Sequence, residues 1–129
     1  MAARGDRATG IAEGAVNLEG VLGCEVIDQQ GTVLARANRG LNLSSDWMEI
    51  DGILPGVVWG AISRAETAFG KAELVVVEYE NVRIVGFTVL WGELGMILAV
   101  SKRSDPAVLK RRILESLDSS NWSGSAGTT

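Results

Sequence analysis

The order of its secondary-structure signals constrains the fold of this chain more than any other feature. Residues 18–36 hold two short apolar runs, 24–27 and 32–35, on either side of Gln29, Gln30 and Gly31. Glycine supplies the positive φ that a tight hairpin turn needs. Helix patterns at 10–22, 54–69 and 106–117, with three more apolar runs after the second helix, complete the order. The sequence therefore predicts helix, two strands, helix, three strands, helix, in an α+β fold with an antiparallel sheet and helices on both faces.

Composition limits the class of protein. The 129 residues are 47% hydrophobic and 22% charged, as expected for one soluble domain with a single core. The net charge of −4 argues against nucleic-acid binding, because affinity for phosphate backbones comes from Lys and Arg. We expect no nucleic-acid partner.

The residue types that most often carry chemistry are scarce. There is no histidine, which excludes Ser-His and Cys-His catalysis and any zinc site that needs imidazole. The single cysteine, Cys24, lies in a predicted buried strand and is interpreted as a small core residue. With one cysteine and no signal-peptide pattern at the N-terminus, we expect a cytoplasmic protein. The longest apolar stretch, 82–91, is half the ~20 residues that span a bilayer, so no membrane insertion is expected.

Composition also predicts how the domain is bounded. Residues 1–8 are expected to be a flexible N-terminus, and the Ser/Gly-rich residues 118–129 a disordered tail. The domain would then span 9–117. Thr9 is predicted to cap the first helix, at 10–22, which Gly10, Gly14 and Gly20 each weaken by up to about 1 kcal/mol.

The central helix, 54–69, has two dissimilar sides. Pro55 suits its first turn, and Gly70 suits the position just past its end. One side is apolar and is expected to face the sheet: Leu54, Val58, Ala61, Ile62, Ala65 and Phe69. The other side is a stripe of small residues: Gly56, Gly60, Ser63 and Thr67. Small residues let two helices approach closely, and Trp59 flanks the stripe, so we expect this side to pack on a second copy of the helix. The alternative is that the stripe is solvent-exposed surface.

Three strands follow, at 73–79, 83–91 and 96–101. Their apolar residues are nearly continuous, which is typical of strands buried on both faces. The gaps at 80–81 and 92–95 are long enough only for hairpins, so the strands are antiparallel. Asp105 and Pro106 suit the cap and the first residue of the last helix, 106–117.

Two segments resemble catalytic motifs only in part. Gly70, Lys71 and Ala72 resemble the end of a phosphate-binding loop, but Ala72 replaces the required Ser or Thr and the segment follows a helix. Glu78 and Glu80 share a strand face, but they lie at the end of the strand and are interpreted as a solvated rim rather than an acid–base pair. The sequence predicts no catalytic, cofactor or metal site.

The hairpin segment 20–35 resembles the roadblock (dynein light-chain type) domain, whose members commonly read G-V-x-G-A-x-V-x-D-x-D-G-x-V-L-A there. Gln30 departs from the acidic residue that usually precedes the turn glycine. The resemblance covers residues 8–117 and includes the bacterial and archaeal members that partner small Ras-like GTPases. It implies a five-stranded sheet with the central helix on one face and the first and last helices on the other.

The resemblance also implies a homodimer made by pairing the central helices and the third strands. The expected dimer interface then comprises Gly56, Gly60, Ser63, Thr67, Val75 and Val77. Trp59 and Arg64 are the expected contacts to a small Ras-like GTPase. The implied function is that of a non-catalytic regulator or scaffold without a cofactor. The alternatives are a structural light chain of a larger assembly and a small-molecule sensor of the PAS or GAF type.

Overall fold

A computed structural model describes residues 2–39, 66–70, 72–90 and 92–118 of the chain. The elements follow the predicted order: α1 (Ala2–Val16), β1 (Val21–Ile27), β2 (Val33–Asn38), α2 (Glu66–Phe69), β3 (Val75–Glu78), β4 (Arg83–Val89), β5 (Leu94–Val100) and α3 (Pro106–Asp118).

The strands form one antiparallel sheet in the order β2-β1-β5-β4-β3. The first and last strands along the chain, β1 and β5, are therefore neighbours at its centre. Strands β2 and β3 lie at the two edges. The predicted five-stranded antiparallel sheet is confirmed.

Alternate residues of each strand contribute to two apolar clusters, one on each face of the sheet. The first cluster contains residues of both α1 and α3 together with one face of the sheet, including Phe87, Met96 and Leu98. The second is smaller and consists of buried Ile27, Ile84, Ile97 and Ala99, with Val75 and Val77 among the half-buried residues around it. Most of the predicted central helix, 54–65, lies outside the described residues, so its position on the second face stays a prediction.

The hairpin between β1 and β2 turns as the sequence predicts. Gly31 has φ +86°, in the left-handed region that favours glycine. One carboxylate oxygen of Asp28 accepts hydrogen bonds from the backbone N–H groups of Gln30 and Thr32, each at 2.9 Å. This local closure is the turn chemistry for which aspartate is favoured.

The first helix differs from the prediction. It was expected at 10–22, but α1 runs from Ala2 to Val16 and its fully buried side is Ala8, Ile11, Ala12 and Ala15. The chain turns at Gly20, which has φ +92°, and the carbonyl of Gly20 accepts a hydrogen bond from the Ser101 N–H at 2.9 Å. Residues 21 and 22 therefore join the sheet instead of the helix. The flexible segment 1–8 and the disordered tail 118–129 stay predictions.

The second half of the chain agrees more closely with the bounds predicted from the sequence. α3 begins at Pro106, and Asp105 caps it by accepting a hydrogen bond from the Ala107 N–H at 2.9 Å. Strand β4 ends at Val89, two residues before the predicted end, and β5 begins at Leu94, two before the predicted start. The turn tightens because Leu90 adopts φ +54°, so the Glu93 N–H can donate to its carbonyl.

Candidate interaction surface at the β3 edge

The two edges of the sheet are covered differently. Helix α1 packs against β1 and β2. Strand β3 has only β4 beside it among the described strands, and its residues alternate between half-buried and exposed. The prediction that this strand is buried on both faces is wrong, because an edge position leaves it partly uncovered. Val76 is 40% exposed and Tyr79 is 47% exposed.

The approach to β3 is also apolar and exposed. Phe69 is the last residue of α2 and is 86% exposed, so the prediction that it faces the sheet is wrong for this chain. It precedes Gly70, whose φ of +82° turns the chain towards β3, as the sequence predicted for the residue past the helix end. Exposed aromatic side chains favour interfaces.

An ion cluster lies at the far end of β3. The two carboxylate oxygens of Glu78 contact Arg83 Nε and Lys102 Nζ, each at 2.6 Å. Arg83 also donates to the Ser104 carbonyl at 2.8 Å. The hydrogen bond from Lys102, assisted by Arg83, holds the pKa of Glu78 below its ordinary value. Glu78 is therefore the anion that joins Arg83 and Lys102 at this end of the strand.

Two lysines bracket the strand. Lys102 Nζ donates to the Tyr79 carbonyl at 2.8 Å, and Lys110 Nζ donates to the Glu73 carbonyl at 2.5 Å. Lys102 lies in the loop before α3 and Lys110 lies on α3 itself. Both ends of the edge strand are thus tied to the rest of the domain by cations.

The predicted site residues fall into two groups. Val75 and Val77 lie in β3 and pack, half-buried, against the second cluster. Thr67 lies in α2. The other predicted residues lie outside the described part of the chain: Gly56, Trp59, Gly60, Ser63 and Arg64. The surface residues that the sequence reasoning missed are Phe69, Val76 and Tyr79. Val76 lies in the edge strand β3, and Tyr79 follows directly after that strand.

A buried ion pair between β1 and β2 was also missed. Glu25 is 1% exposed, and its carboxylate contacts Arg36 Nε at 3.2 Å. The two residues are directly opposite each other in the hairpin register. Glu25 lies inside an otherwise apolar run, and this is the sequence signal that could have revealed the buried ion pair. Its neighbour Cys24 is fully buried, and burial raises the pKa of that thiol, with a further contribution from the Glu25 charge. The interpretation of Cys24 as a core residue is confirmed.

An open groove of about 500 Å³ lies where the α1–β1 turn meets the start of α3. Its charged lining is mixed: Glu19, Asp105, Arg103 and Arg112. Glycine is favoured at position 20 of its lining, because φ is +92° there and a Cβ would stand 1.9 Å from Ser104 Oγ, so that the serine side chain would have to move. In the described ranges, no cluster of acidic, Cys or His side chains could hold a metal ion, and no helix is long and apolar enough to cross a membrane.

Solved structures share this fold. The gliding protein MglB from Thermus thermophilus superposes with a TM-score of 0.66 at 16% identity, covering 87% of this chain and 86% of that one. A roadblock/LC7 domain from Streptomyces avermitilis gives 0.62 at 19%, covering 85% and 93%. MglC from Myxococcus xanthus gives 0.58 at 21%, covering 85% and 95%. The fold is therefore that of a roadblock/LC7 domain.

Sequence comparisons do not extend this result beyond the fold. No family model matches the chain, and no curated protein matches it. At 16% to 21% identity the structural likeness establishes the fold. It supports the roadblock assignment that the hairpin motif predicted.

Proposed function

We propose that this protein is a non-catalytic homodimeric regulator or scaffold that binds a small Ras-like GTPase. The observation that carries the dimer is the β3 edge, where β4 is the one neighbour among the described strands and where Val76, in β3, and Tyr79, just past its end, are exposed. An apolar edge strand presents unpaired backbone groups and tends to pair with another strand. The roadblock fold and the MglB and MglC likenesses support the same proposal.

The dimer would place two kinds of contact together. Val75 and Val77 of β3 would continue the second apolar cluster across the pair of sheets. The small-residue stripe of Gly56, Gly60, Ser63 and Thr67 would let the two central helices approach closely. Trp59 and Arg64, beside this stripe, would contact the GTPase.

The proposed mechanism is a shift of population. A protein that binds one nucleotide state of the GTPase more tightly than the other stabilises that state by the difference in binding free energy. Such a regulator needs no active site and no cofactor. Its effect on nucleotide turnover follows from which conformation it selects.

The test begins with tagged protein in native lysate, with a GTP analogue or GDP added, and with captured proteins identified by mass spectrometry. The captured GTPase is then purified and titrated with this protein in both nucleotide states. Tighter binding in one state, weakened by Trp59→Ala or Arg64→Ala, supports the proposal. Capture of a large assembly that contains no GTPase favours the structural light chain. A bound small molecule in the purified protein favours the PAS or GAF type of sensor.

A further inference from the structure

Positive charge is concentrated in one short segment of this acidic chain. Residues 102–112 contain five cations and one acid, a net charge of +4 in a chain whose net charge is −4. The rest of the chain therefore carries −8. Because like charges repel, such a concentration destabilises the folded chain unless opposite charges balance it. The cations lie in the loop before α3 and on α3 itself: Lys102, Arg103, Lys110, Arg111 and Arg112.

The two lysines of this segment are already used by the fold. Lys102 Nζ and Lys110 Nζ donate to carbonyl oxygens just beyond the two ends of β3. The three arginines, Arg103, Arg111 and Arg112, are exposed. Within the described part of the chain, their side chains form no ion pair and no hydrogen bond. These three residues are called the arginine surface below.

The dipole of α3 does not account for the arginine surface. Positive side chains stabilise a helix when they lie near its last turn, where the backbone carbonyls are unpaired. α3 ends at Asp118 and has no basic residue in its last turn. Arg111 and Arg112 lie in the middle of the helix, and Arg103 precedes its first residue, Pro106. Three guanidinium groups within ten residues thus lack an opposite charge among the described residues.

Two of these arginines line the open groove of about 500 Å³ between the α1–β1 turn and the start of α3: Arg103 and Arg112. Asp105 belongs to the same lining, but its carboxylate accepts hydrogen bonds from the first N–H groups of α3. Glu19, on the α1–β1 turn, is the other acid of the lining. The positive charge of the groove that no described group balances therefore lies on its α3 side.

From these observations we propose that the arginine surface binds an acidic, extended segment of another protein. Carboxylates of that segment would contact Arg103 and Arg112 in the groove and Arg111 beside it. Arginine suits this role, because its planar guanidinium group binds a carboxylate through two parallel hydrogen bonds. Clusters of arginine are a recurring means of recognising acidic motifs. The inference goes beyond the proposed GTPase partner and does not depend on it.

The sequence indicates that the segment comes from another protein. No two acidic residues are adjacent in this chain, so neither the chain nor a second copy of it supplies an acidic run. The arginine surface belongs to the α3 side of the sheet, with the first apolar cluster, whereas Val75 and Val77 pack on the second. A scaffold with this arrangement can hold an acidic partner on one face of the sheet and the proposed helix contacts on the other.

A peptide of defined composition tests the proposal. Fluorescein-labelled octaglutamate is titrated with the full chain at low salt, and its anisotropy is compared with that of labelled octaglutamine. Because the chain as a whole is negative, general attraction cannot produce binding of octaglutamate. We expect octaglutamate alone to bind, with an affinity that falls as salt is added. In ¹⁵N-labelled protein, the amide signals of groove residues Gly20, Ser104 and Val108 should shift.

Matched variants locate the site. Arg112→Gln should weaken octaglutamate binding about threefold, and Arg103→Gln with Arg112→Gln about tenfold, because each exposed ion pair contributes a few-fold in affinity. Arg7→Gln removes the same charge from the first half of α1 and should change the affinity by less than about twofold. Glu19→Gln removes an acid from the groove and should tighten binding. Circular dichroism checks that each variant is folded.

The outcomes separate the possible results. Octaglutamate binding that is weakened by Arg112→Gln and not by Arg7→Gln supports the proposal. Equal weakening by the two variants would overturn the site, and so would the absence of binding at millimolar protein. Binding to vesicles of phosphatidylserine and phosphatidylcholine, without binding to octaglutamate, would overturn the acidic segment in favour of a membrane surface. The proposed homodimer is tested separately, by sedimentation.

Discussion

Strand β2 has α1 packed over one of its faces, whereas β3 carries the exposed Val76 and is followed directly by the exposed Tyr79. The two edge strands of the sheet therefore present different kinds of side chain to solvent. Edge β2 carries Arg36 in an ion pair with buried Glu25, and charged residues at an edge discourage pairing with other chains. Edge β3 is a run of three valines. The difference indicates that helix α1 and the Arg36 charge protect edge β2 against pairing with another chain. Edge β3, in contrast, is suited to pairing with a partner strand.

The largest effect is expected beneath the covered edge. Ile11 of α1 is fully buried in the first cluster, and removing a buried isoleucine side chain costs about 2–5 kcal/mol. Ile11→Ala should lower the free energy of unfolding by about 3 kcal/mol in urea denaturation. Glu13→Ala, on the exposed side of the same helix, is the control and should change it by no more than about 0.5 kcal/mol. Equal effects from the two would show that α1 does not complete the core.

The next largest effect on stability is expected at the ion pair between β1 and β2. Arg36→Met removes one cation from beside Glu25, which is 1% exposed, and breaking a buried ion pair is costly. Because Arg36 is 38% exposed, water offsets part of that cost, and we expect a loss of about 2 kcal/mol in the same denaturation experiment. Arg36→Lys keeps the charge and should recover part of the stability. An Arg36→Met protein as stable as the unaltered chain would contradict a stabilising role for the pair.

At the open edge the effect should appear in association. In the proposed dimer, Val76→Lys places an ammonium group on each of the two paired β3 edges, and like charges close to each other across a strand pair are destabilising. We expect the dimer Kd to rise by about tenfold or more, which corresponds to about 1.4 kcal/mol, and to recover partly at high salt. Thr32→Lys, at the exposed β1–β2 turn, is the matched control. A dimer as sensitive to Thr32→Lys as to Val76→Lys would place its interface elsewhere.

The smallest effect is expected at the ion cluster of β3. Because the pKa of Glu78 is lowered in the folded protein, the cluster contributes stability above the ordinary carboxyl pKa, and this contribution is lost as pH falls through the lowered value. Glu78→Gln should therefore melt at a slightly lower temperature than the unaltered chain at pH 7. The gap should close below about pH 4.5, the ordinary value.

Glu80→Gln, two residues further on and outside the cluster, is the control for that measurement. It should melt like the unaltered chain at neutral pH. A gap between Glu78→Gln and the unaltered chain that widens in acid would contradict the lowered pKa.

The structural features that were predicted correctly are those that residues close together in sequence determine. Gly31 marks the first hairpin turn, and Asp105 with Pro106 marks the start of α3, so those features were predicted correctly. The hydrogen bonds of Asp28 that close the same turn were not predicted. The element order needed only such signals and the periodicity of the apolar residues. The bounds of α1 were wrong, because the close contact between Gly20 and Ser104 joins segments more than 80 residues apart in sequence.

The candidate surface depended on information that no local pattern holds. By its apolar pattern the valine run at 75–77 reads as a strand buried on both faces. The family resemblance implied that this strand pairs with a second copy, and the order β2-β1-β5-β4-β3 places it at an edge of the sheet. Likewise, the hairpin register pairs Glu25 with Arg36, although each alone reads as an ordinary charged residue. Contacts of this kind follow from the topology of the sheet and therefore required the structure.

Sedimentation velocity over a range of concentrations, with the unaltered chain and Val76→Lys side by side, tests the open-edge dimer most directly. We expect the unaltered chain to sediment with twice its 13.7 kDa mass, and Val76→Lys to shift towards the single-chain mass at the same concentration. An unaltered chain that stays at 13.7 kDa at every concentration would contradict a homodimer. A Val76→Lys dimer as stable as that of the unaltered chain would contradict pairing through β3.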